Sequence, residues 1–177
     1  MWGMDHGTDW LGNDIPPEEL NRLEEGQHYG WPYVYGDRQL NPSQVKPGDG
    51  KAGEILAKAK APVLGYQAHS APMMMVFYTA DAFPKGYHHD AFVAMRGSWN
   101  RKPPTGYKIV RLRFEGGEPQ GFEDFVTGFL IEGGDAFLAR LAGLAVAGDG
   151  SLLASDDTNG VIYRIAFTGE DKTAARQ

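Results

Sequence analysis

Residues 87–114 read YHHDAFVAMRGSWNRKPPTGYKIVRLRF, and this stretch carries the clearest structural pattern of the chain. The run 107–114 alternates between apolar and cationic side chains, a period of two that predicts a half-buried strand. A second β-rich run covers 90–95. The loop between them, residues 96–106, contains three cations, one indole and two prolines, and it is longer than a hairpin turn requires. Its length and charge predict a function beyond joining two strands.

The composition is that of a globular all-β chain. Its 177 residues suit one domain, and 24 glycines among many short β-rich runs indicate many tight turns. The net charge of −6 argues against a broad nucleic-acid-binding face. The chain has no cysteine, which excludes disulfide scaffolds and thiolate metal sites. No apolar run approaches the ~18 residues of a membrane helix, and residues 1–14 do not resemble a signal peptide.

The N-terminal third of the chain gives weaker patterns. Residues 1–14 have no periodicity and predict a surface loop, or alternatively a cation loop because four Asp and Asn side chains lie close together. Residues 15–26 predict a short helix, with proline in its first turn and a glycine as its stop. Residues 27–36 predict a packed aromatic turn, and residues 37–61 predict an exposed connecting loop.

The rest of the chain predicts strands joined by turns. Residues 73–79 form a continuous apolar run, as expected of a strand buried on both faces, and His69 stands just before it. Asp-Gly and Asn-Gly turns separate the last three strands. Residues 169–177 predict a frayed polar tail. The further short strands are expected at 122–129, 143–147, 151–155 and 161–167.

An internal repeat links two of these regions. Residues 90–118 resemble residues 150–170, with Arg111 matching Arg164 and Phe114 matching Phe167. Each unit has a short apolar strand, a polar loop and a strand that contains the arginine. A repeat of ~40–60 residues with four antiparallel strands is typical of a β-propeller blade.

About two and a half blades are expected in this chain. A closed propeller needs at least four, so the pattern predicts a fragment of a larger propeller. We expect a single partial β-propeller domain over residues 1–177. Its predicted parts are the end of an earlier blade (1–36), a connecting excursion (37–65), a complete blade (66–130), an incomplete last blade (137–169) and a tail (170–177).

Four segments together resemble the glucose/sorbosone dehydrogenase family. They are GMDHGTDWLGNDIPPEELNRLEEGQHYGWP (3–32), HSAPMMMVFYTADAFP (69–84), DAFVAMRGSWNRKPPTGYKIVRLRF (90–114) and GLAVAGDGSLLASDDTNGVIYRI (143–165). Members of that family are soluble six-bladed propellers that oxidise sugars with pyrroloquinoline quinone (PQQ) and calcium. The resemblance covers nearly the whole chain, but only the C-terminal part of a family member.

The resemblance implies a set of cofactor-binding residues. Arg96 stands at the family's quinone-binding lysine position, and Arg140 matches a family arginine. Because PQQ carries three carboxylates, a planar guanidinium suits it; the alternative is a salt bridge to a neighbouring carboxylate. His69 is expected near the cofactor. The loop residues expected to line the sugar entrance are Trp99, Asn100 and Arg101.

The resemblance also implies calcium and a reaction. Glu18 and Glu19 with Tyr29 resemble a structural calcium site of the family, although glutamates at a helix start also suit the helix dipole. In the family a histidine base takes the proton of the sugar C1 hydroxyl while hydride passes to the quinone. Nothing here corresponds to that histidine. Residues 5–14 also match poorly where the family's calcium-binding carbonyls lie, and residues 140–143 read Arg-Leu-Ala-Gly where the family pattern has Arg-Pro-Val-Gly.

Three hypotheses follow. The first is a fragment of a PQQ- and calcium-dependent aldose or sorbosone dehydrogenase, which would act on a sugar and an external electron acceptor. Its parent would be periplasmic or extracellular. The second is a non-catalytic propeller module that binds a protein or a carbohydrate. The third is a truncated frame, whose exposed blade edges would favour oligomers.

Overall fold

The all-β prediction is confirmed by the computed structural model, which describes residues 1–46, 48–131, 133–134 and 136–169. The described part contains one α-helix, α1 (Gly50–Lys58), and a 3₁₀ helix at Lys85–Tyr87. The predicted tail at 170–177 lies outside the described residues. The strands are β1 Trp2–Asp5, β2 Glu18–Arg22, β3 Val34–Tyr35, β4 Gln39–Leu40, β5 Leu64–Tyr66, β6 Pro72–Phe77, β7 Ala91–Met95, β8 Lys108–Glu115, β9 Glu118–Val126, β10 Leu141–Val146, β11 Leu152–Asp156 and β12 Val161–Ile165.

The chain divides into two compact units. The first comprises Met1–Pro72 and Arg96–Gly106, and the second comprises Met73–Met95 and the chain from Tyr107 onward. The predicted blade boundaries at residues 36, 65 and 137 stay a prediction, because the division into two compact units does not test them.

The second unit contains the predicted four-stranded sheet followed by a three-stranded one. The strand orders are β6-β7-β8-β9 and β10-β11-β12. Strands β7 and β8 pair antiparallel with Ala91 opposite Leu112, and a hairpin joins β8 to β9. Gly116 and Gly117 make its turn with φ of 60° and 85°, values that glycine adopts without strain.

The core of the second unit lies against β7. All five residues of β7 are buried, and β8 buries Ile109, Val110 and Leu112. The predicted alternation accounts for Val110 and Leu112, whereas the successive burial of Ile109 and Val110 coincides with an irregular register between these two residues in the pairing with β9. Tyr78, which follows β6, is fully buried as well. Its hydroxyl donates to the Gly150 carbonyl oxygen at 2.8 Å and accepts from the Phe83 amide at 2.9 Å. This side chain therefore ties the end of β6 to the turn before β11.

The prediction that residues 73–79 form a strand buried on both faces is wrong for most of the run. Met73, Met74 and Phe77 are 46%, 45% and 40% exposed. The reason is topological, because β6 is an edge strand whose only neighbour in its sheet is β7. A continuous apolar run indicates burial on both faces only for a strand inside a covered sheet.

In the first unit, the helix predicted at 15–26 is wrong, since residues 18–22 form β2. This strand lies between β1 and β5 in a three-stranded antiparallel sheet, and four of its five residues are buried. Differences in helix propensity amount to a few tenths of a kcal/mol per residue, so pairing on both edges overrides them. Strand β1 likewise replaces part of the loop predicted at 1–14.

The connecting loop predicted at 37–61 contains α1. Asp49 caps it, because its carboxylate accepts from the amides of Lys51 and Ala52. Among the described residues, no helix is long and apolar enough to cross a membrane.

The internal repeat has a structural counterpart in two Asp–Arg pairs. Arg111 of β8 binds Asp90, which precedes β7, and Arg164 of β12 binds Asp149, which precedes β11. The first pair is largely buried, with side-chain exposures of 17% and 5%. The second is exposed, at 58% and 52%. The same contact therefore occurs twice in different surroundings.

Candidate functional site

The cationic loop at 96–106 is anchored in the first unit at both of its ends. The amides of Arg96 and Gly97 donate to the carbonyl oxygens of Ala71 and Ser70 at 2.9 and 3.0 Å. At its far end Gly106 has φ +79°, and a Cβ there would lie 2.6 Å from the Ser70 oxygen. Only glycine fits this close approach. The loop is thus closed at its base against residues 70–71.

The tip of the loop is fastened to residues 9–14. We call residues 9–14 together with residues 99–102 the clasp. Asp9 is its centre, since its carboxylate accepts from the Trp99 indole at 2.9 Å and its carbonyl oxygen accepts from the Asn100 amide group at 2.7 Å. Asp9 therefore positions two of the three residues predicted for the sugar entrance.

Arg101 completes the clasp. Its Nε donates to the Asn13 carbonyl oxygen at 2.9 Å, one terminal nitrogen donates to Asp14 at 3.1 Å, and the other to the Pro103 carbonyl oxygen at 2.6 Å. The guanidinium side chain is 8% exposed, whereas the Asp14 side chain is 85% exposed. All three of its nitrogens are engaged within the chain. A direct contact of Arg101 with a cofactor stays a prediction.

His69 lies on the inner side of the clasp. Its Nε2 donates to the Gly12 carbonyl oxygen at 2.7 Å, and its Nδ1 lies 3.3 Å from a carboxylate oxygen of Asp9. The residue is 3% exposed and has φ +67°. These contacts make His69 a support for residues 9–12. The predicted contact of His69 with a cofactor is not addressed by them.

Two features of the clasp remain open to a ligand. Trp10 and Trp99 are 76% and 63% exposed, with ring centroids 5.9 Å apart and planes at 76°. The amide oxygen of Asn100 is buried and accepts no hydrogen bond from the described part of the chain. A buried acceptor of this kind calls for a donor. The clasp thus combines exposed aromatic rings with an unsatisfied acceptor.

Each of the three residues predicted to bind calcium bonds groups of its own chain, and their predicted calcium site stays a prediction. Glu18 accepts from the amides of Ala71 and Gly7, at 2.8 and 2.9 Å. Glu19 accepts instead from Gly36 at 2.5 Å and from Asn21 at 3.3 Å. The Tyr29 hydroxyl donates to the Arg22 carbonyl oxygen at 2.7 Å. Within the part of the chain that the structure describes, no three His, Asp or Glu side chains form a metal site.

Burial shapes the electrostatics of the two glutamates. Glu18 and Glu19 are 0% and 5% exposed. Desolvation by burial raises the pKa of Glu18, although the amides of Ala71 and Gly7 act in the opposite direction. Burial also raises the pKa of Glu19, and the charge of Asp5 adds to this effect. Both groups consequently bind their protons more tightly in the folded chain.

A small cavity in the first unit lies beside Glu19. Its volume is about 20 Å³, and Asp5, His6, Thr8 and Tyr35 are among its lining residues. Such a volume admits one water-sized group. The cavity is therefore too small for a sugar or a tricyclic quinone.

The two arginines predicted to bind the quinone belong to different units. Arg96 directly follows β7 in the sequence, is partly buried and belongs to the first unit. Arg140 belongs to the second unit, where its guanidinium lies 5.9 and 5.7 Å from the ring centroids of Tyr107 and Phe137. Its amide donates to Asp156 at 3.1 Å. Aromatic rings beside a guanidinium leave it oriented but still charged.

A family model described as TrAA12-like matches residues 12–168. An uncharacterized protein of Borreliella burgdorferi is 36% identical over 170 residues, which cover 94% of this chain and 43% of that protein. A pyrroloquinoline quinone-dependent pyranose dehydrogenase of Coprinopsis cinerea is 43% identical over 54 residues, 30% of this chain and 7% of that protein. The aldose sugar dehydrogenase YliI of Escherichia coli is 34% identical over 85 residues, 48% of this chain and 20% of that protein.

Solved structures show the same fold. The holo pyranose dehydrogenase PQQ domain of Coprinopsis cinerea matches with a TM-score of 0.66 and 22% identity, over 93% of this chain and 49% of that one. A calcium structure of a Trichoderma reesei carbohydrate-active enzyme of family AA12 matches with a TM-score of 0.65 and 24% identity. The match covers 91% of this chain and 47% of that one. The β-propeller fold class is thereby confirmed. The chain spans less than half the length of these relatives.

Proposed function

The chain belongs to the TrAA12-like family, and from this membership we propose that it forms part of a PQQ- and calcium-dependent sugar dehydrogenase. The observation that carries the proposal is the family match over residues 12–168. The homologues with a named activity are sugar dehydrogenases, which supports an oxidoreductase. The periplasmic or extracellular location expected for the parent enzyme is part of the proposal.

The proposed reaction is oxidation of an aldose or sorbosone at C1. Bound PQQ would supply the hydride acceptor and calcium would polarise its carbonyls. This chain would contribute side chains that bind and orient, and the electrons would pass to an external acceptor. No residue of the chain is assigned as the catalytic base. Self-association through exposed blade edges stays a prediction.

The residues present fit PQQ better than they fit calcium. Arg96 stands at the base of the closed loop, and a guanidinium there suits a carboxylate ligand. The unsatisfied Asn100 oxygen suits a ligand N–H or hydroxyl group. Glu18, Glu19 and Tyr29, in contrast, bond amides and a carbonyl of their own chain, and we assign no calcium to them. The contact of Arg140, a residue of the second unit, with a PQQ carboxylate stays a prediction.

The proposal predicts that Arg96→Ala weakens PQQ binding. A charge-assisted bidentate contact contributes about 1.5–3 kcal/mol, so the dissociation constant should rise by roughly 10- to 150-fold. Binding is measured by quenching of tryptophan fluorescence when PQQ is added to the 177-residue chain in the presence of calcium.

Arg113→Ala is the matched control for this experiment. Arg113 is an exposed arginine whose guanidinium binds Glu123 on the second unit, 3.1 Å away. Its loss removes the same charge and should leave the PQQ affinity unchanged. Equal affinities for the wild type and Arg96→Ala would contradict the assignment of Arg96.

A second candidate function is a non-catalytic module that binds carbohydrate. The exposed pair Trp10 and Trp99 favours it, because flat aromatic faces beside polar groups suit the amphipathic faces of a pyranose ring. The clasp also supplies polar groups for a sugar, because the carboxylates of Asp9 and Asp14 take part in its hydrogen bonds with Trp99 and Arg101. In this case the chain would bind sugar without PQQ.

Trp10→Ala should then weaken sugar binding by about tenfold, the loss of one stacked ring. The measurement is isothermal titration with neutral glucose hexasaccharides, without PQQ. Trp31→Ala is the control, since Trp31 is 61% exposed but lies outside the clasp. If Trp10→Ala and Trp31→Ala lower the sugar affinity equally, the Trp10–Trp99 pair is not the sugar-binding site. If the chain binds PQQ but no sugar, the result favours the dehydrogenase over the carbohydrate-binding module.

A further inference from the structure

His88 and His89 form an exposed imidazole pair in the second unit. They follow the 3₁₀ helix Lys85–Tyr87 and precede β7. Their ring centroids are 4.1 Å apart and their planes make an angle of 74°. Both residues are exposed. Neither imidazole makes a hydrogen bond or ion pair with the described part of the chain.

The backbone brings the two rings together. Neighbouring side chains of an extended chain point to opposite sides. Here His89 has φ +71°, a left-handed conformation that residues other than glycine seldom adopt. Backbone hydrogen bonds fix the turn. The amide of His88 donates to the Lys85 carbonyl oxygen at 3.1 Å, and the amide of His89 donates to the Tyr78 carbonyl oxygen at 2.8 Å. The turn that carries the two rings side by side is thus built into the fold.

We propose that His88 and His89 together bind a divalent first-row transition metal ion. Imidazole nitrogen is a preferred ligand of copper, nickel and zinc. With a metal–nitrogen distance of about 2.0–2.1 Å, each ring centroid lies about 3.2 Å from the ion. When one nitrogen of each ring points to the same ion, two centroids 4.1 Å apart subtend about 80° at the metal, close to the angle between adjacent ligands in a square or octahedral complex.

Among the described residues no third His, Asp or Glu side chain joins the two rings in a metal site, so water would complete the ligand set. Asp90 is the neighbouring carboxylate, but it is engaged by Arg111 and by the amide of Phe114 at 2.7 Å. Lys85 and Arg111 add positive charge, which weakens the binding of any cation at this site. The affinity order should follow the Irving–Williams series, with Cu²⁺ the tightest. The site is independent of the proposed dehydrogenase function, because it uses none of its residues.

The test is a Zn²⁺ titration followed by nitrogen-15 NMR of the histidine rings, with Ni²⁺ affinity measured by isothermal titration. We expect the ring signals of His88 and His89 to shift together, with one Ni²⁺ bound per chain. His88→Gln should lower the Ni²⁺ affinity at least about tenfold, because chelation by two ligands is lost. His89→Asn should do the same, and asparagine tolerates the left-handed backbone.

His6→Gln is the control, because His6 is an exposed histidine of the first unit. It should retain the wild-type Ni²⁺ affinity. The proposal is overturned if His88→Gln and His89→Asn bind Ni²⁺ as tightly as the wild type. A Zn²⁺ titration that shifts only one of the two rings, or neither, overturns it as well.

Discussion

Replacing Arg111 by alanine should lower the free energy of unfolding by about 3–5 kcal/mol, the usual cost of breaking a buried ion pair from one side. Arg111 binds the carboxylate of Asp90 through Nε at 2.6 Å and through a terminal nitrogen at 2.5 Å. It also donates to the Gly86 oxygen and lies 4.2 Å from the centroid of the Tyr87 ring. Its removal leaves a buried carboxylate whose remaining donor is the Phe114 amide.

The repeat supplies a control for this prediction. Arg164→Ala deletes the corresponding arginine of the next sheet, which binds Asp149 at an exposed position. Exposed ion pairs contribute little to stability, so the unfolding curve should hardly move. Both variants are measured by urea unfolding followed by circular dichroism. Similar losses for the two would show that burial does not determine the strength of this repeated contact.

The repeat in the sequence predicts that Arg111 and Arg164 are equivalent, but it predicts neither their aspartate partners nor the difference in burial between the two pairs. The repeat places Arg111 and Arg164 at equivalent positions, and both bind an aspartate that precedes the neighbouring strand. Burial depends on what covers each sheet, and no local pattern records that. Alternation predicts strand β8 and the burial of Val110 and Leu112, because the side chains of a strand point alternately to its two faces. The burial of Ile109 beside Val110 departs from this pattern.

The errors have equally specific causes. Residues 15–26 predict a short helix because proline suits its first turn and Gly26 its end, yet residues 18–22 form β2, which has partners on both edges. Helix α1 was missed although Asp49 is a good N-cap and Lys58 stands in the last turn. The polar composition of 37–61 concealed this short amphipathic segment.

The sequence singles out the loop at 96–106 by its length and charge, but it does not show what the loop contacts. In the structure Trp99, Asn100 and Arg101 of this loop belong to the clasp, and their place at a sugar entrance stays a prediction. Their partners at residues 9–14 lie almost ninety positions earlier in the chain. A single sequence contains no local pattern that pairs residues so far apart.

Glu18→Gln should destabilise the chain most at acid pH, and the difference from the wild type should narrow as the pH rises. Both carboxylate oxygens of Glu18 accept amide protons, so a glutamine must present an NH₂ group to one of those amides. The loss of one buried hydrogen bond costs about 1–3 kcal/mol. The contact matters for the proposed site, because Glu18 holds Ala71, whose carbonyl oxygen accepts from Arg96 at the base of the loop.

The pH dependence follows from proton linkage. Burial raises the pKa of Glu18 in the folded chain above its ordinary value of 4.5. Between the two pKa values the folded chain therefore binds more protons than the unfolded chain, and the free energy of unfolding decreases as the pH rises. This contribution is complete below pH 4.5 and is lost as the pH passes through the folded pKa. Glutamine does not titrate, so the variant lacks this part of the slope.

The measurement is urea unfolding of the wild type and Glu18→Gln at several pH values from 4 to 8. Glu25→Gln is the matched control, because it makes the same change in charge at an exposed position. Its unfolding curves should follow those of the wild type throughout. Glu19 also has a pKa raised by burial, so a smaller slope of the same sign must remain in Glu18→Gln. The prediction is contradicted if the stability difference between the wild type and Glu18→Gln stays constant from pH 4 to 8 or widens as the pH rises. Glu18 would then not be a buried, proton-retaining group that supports the loop.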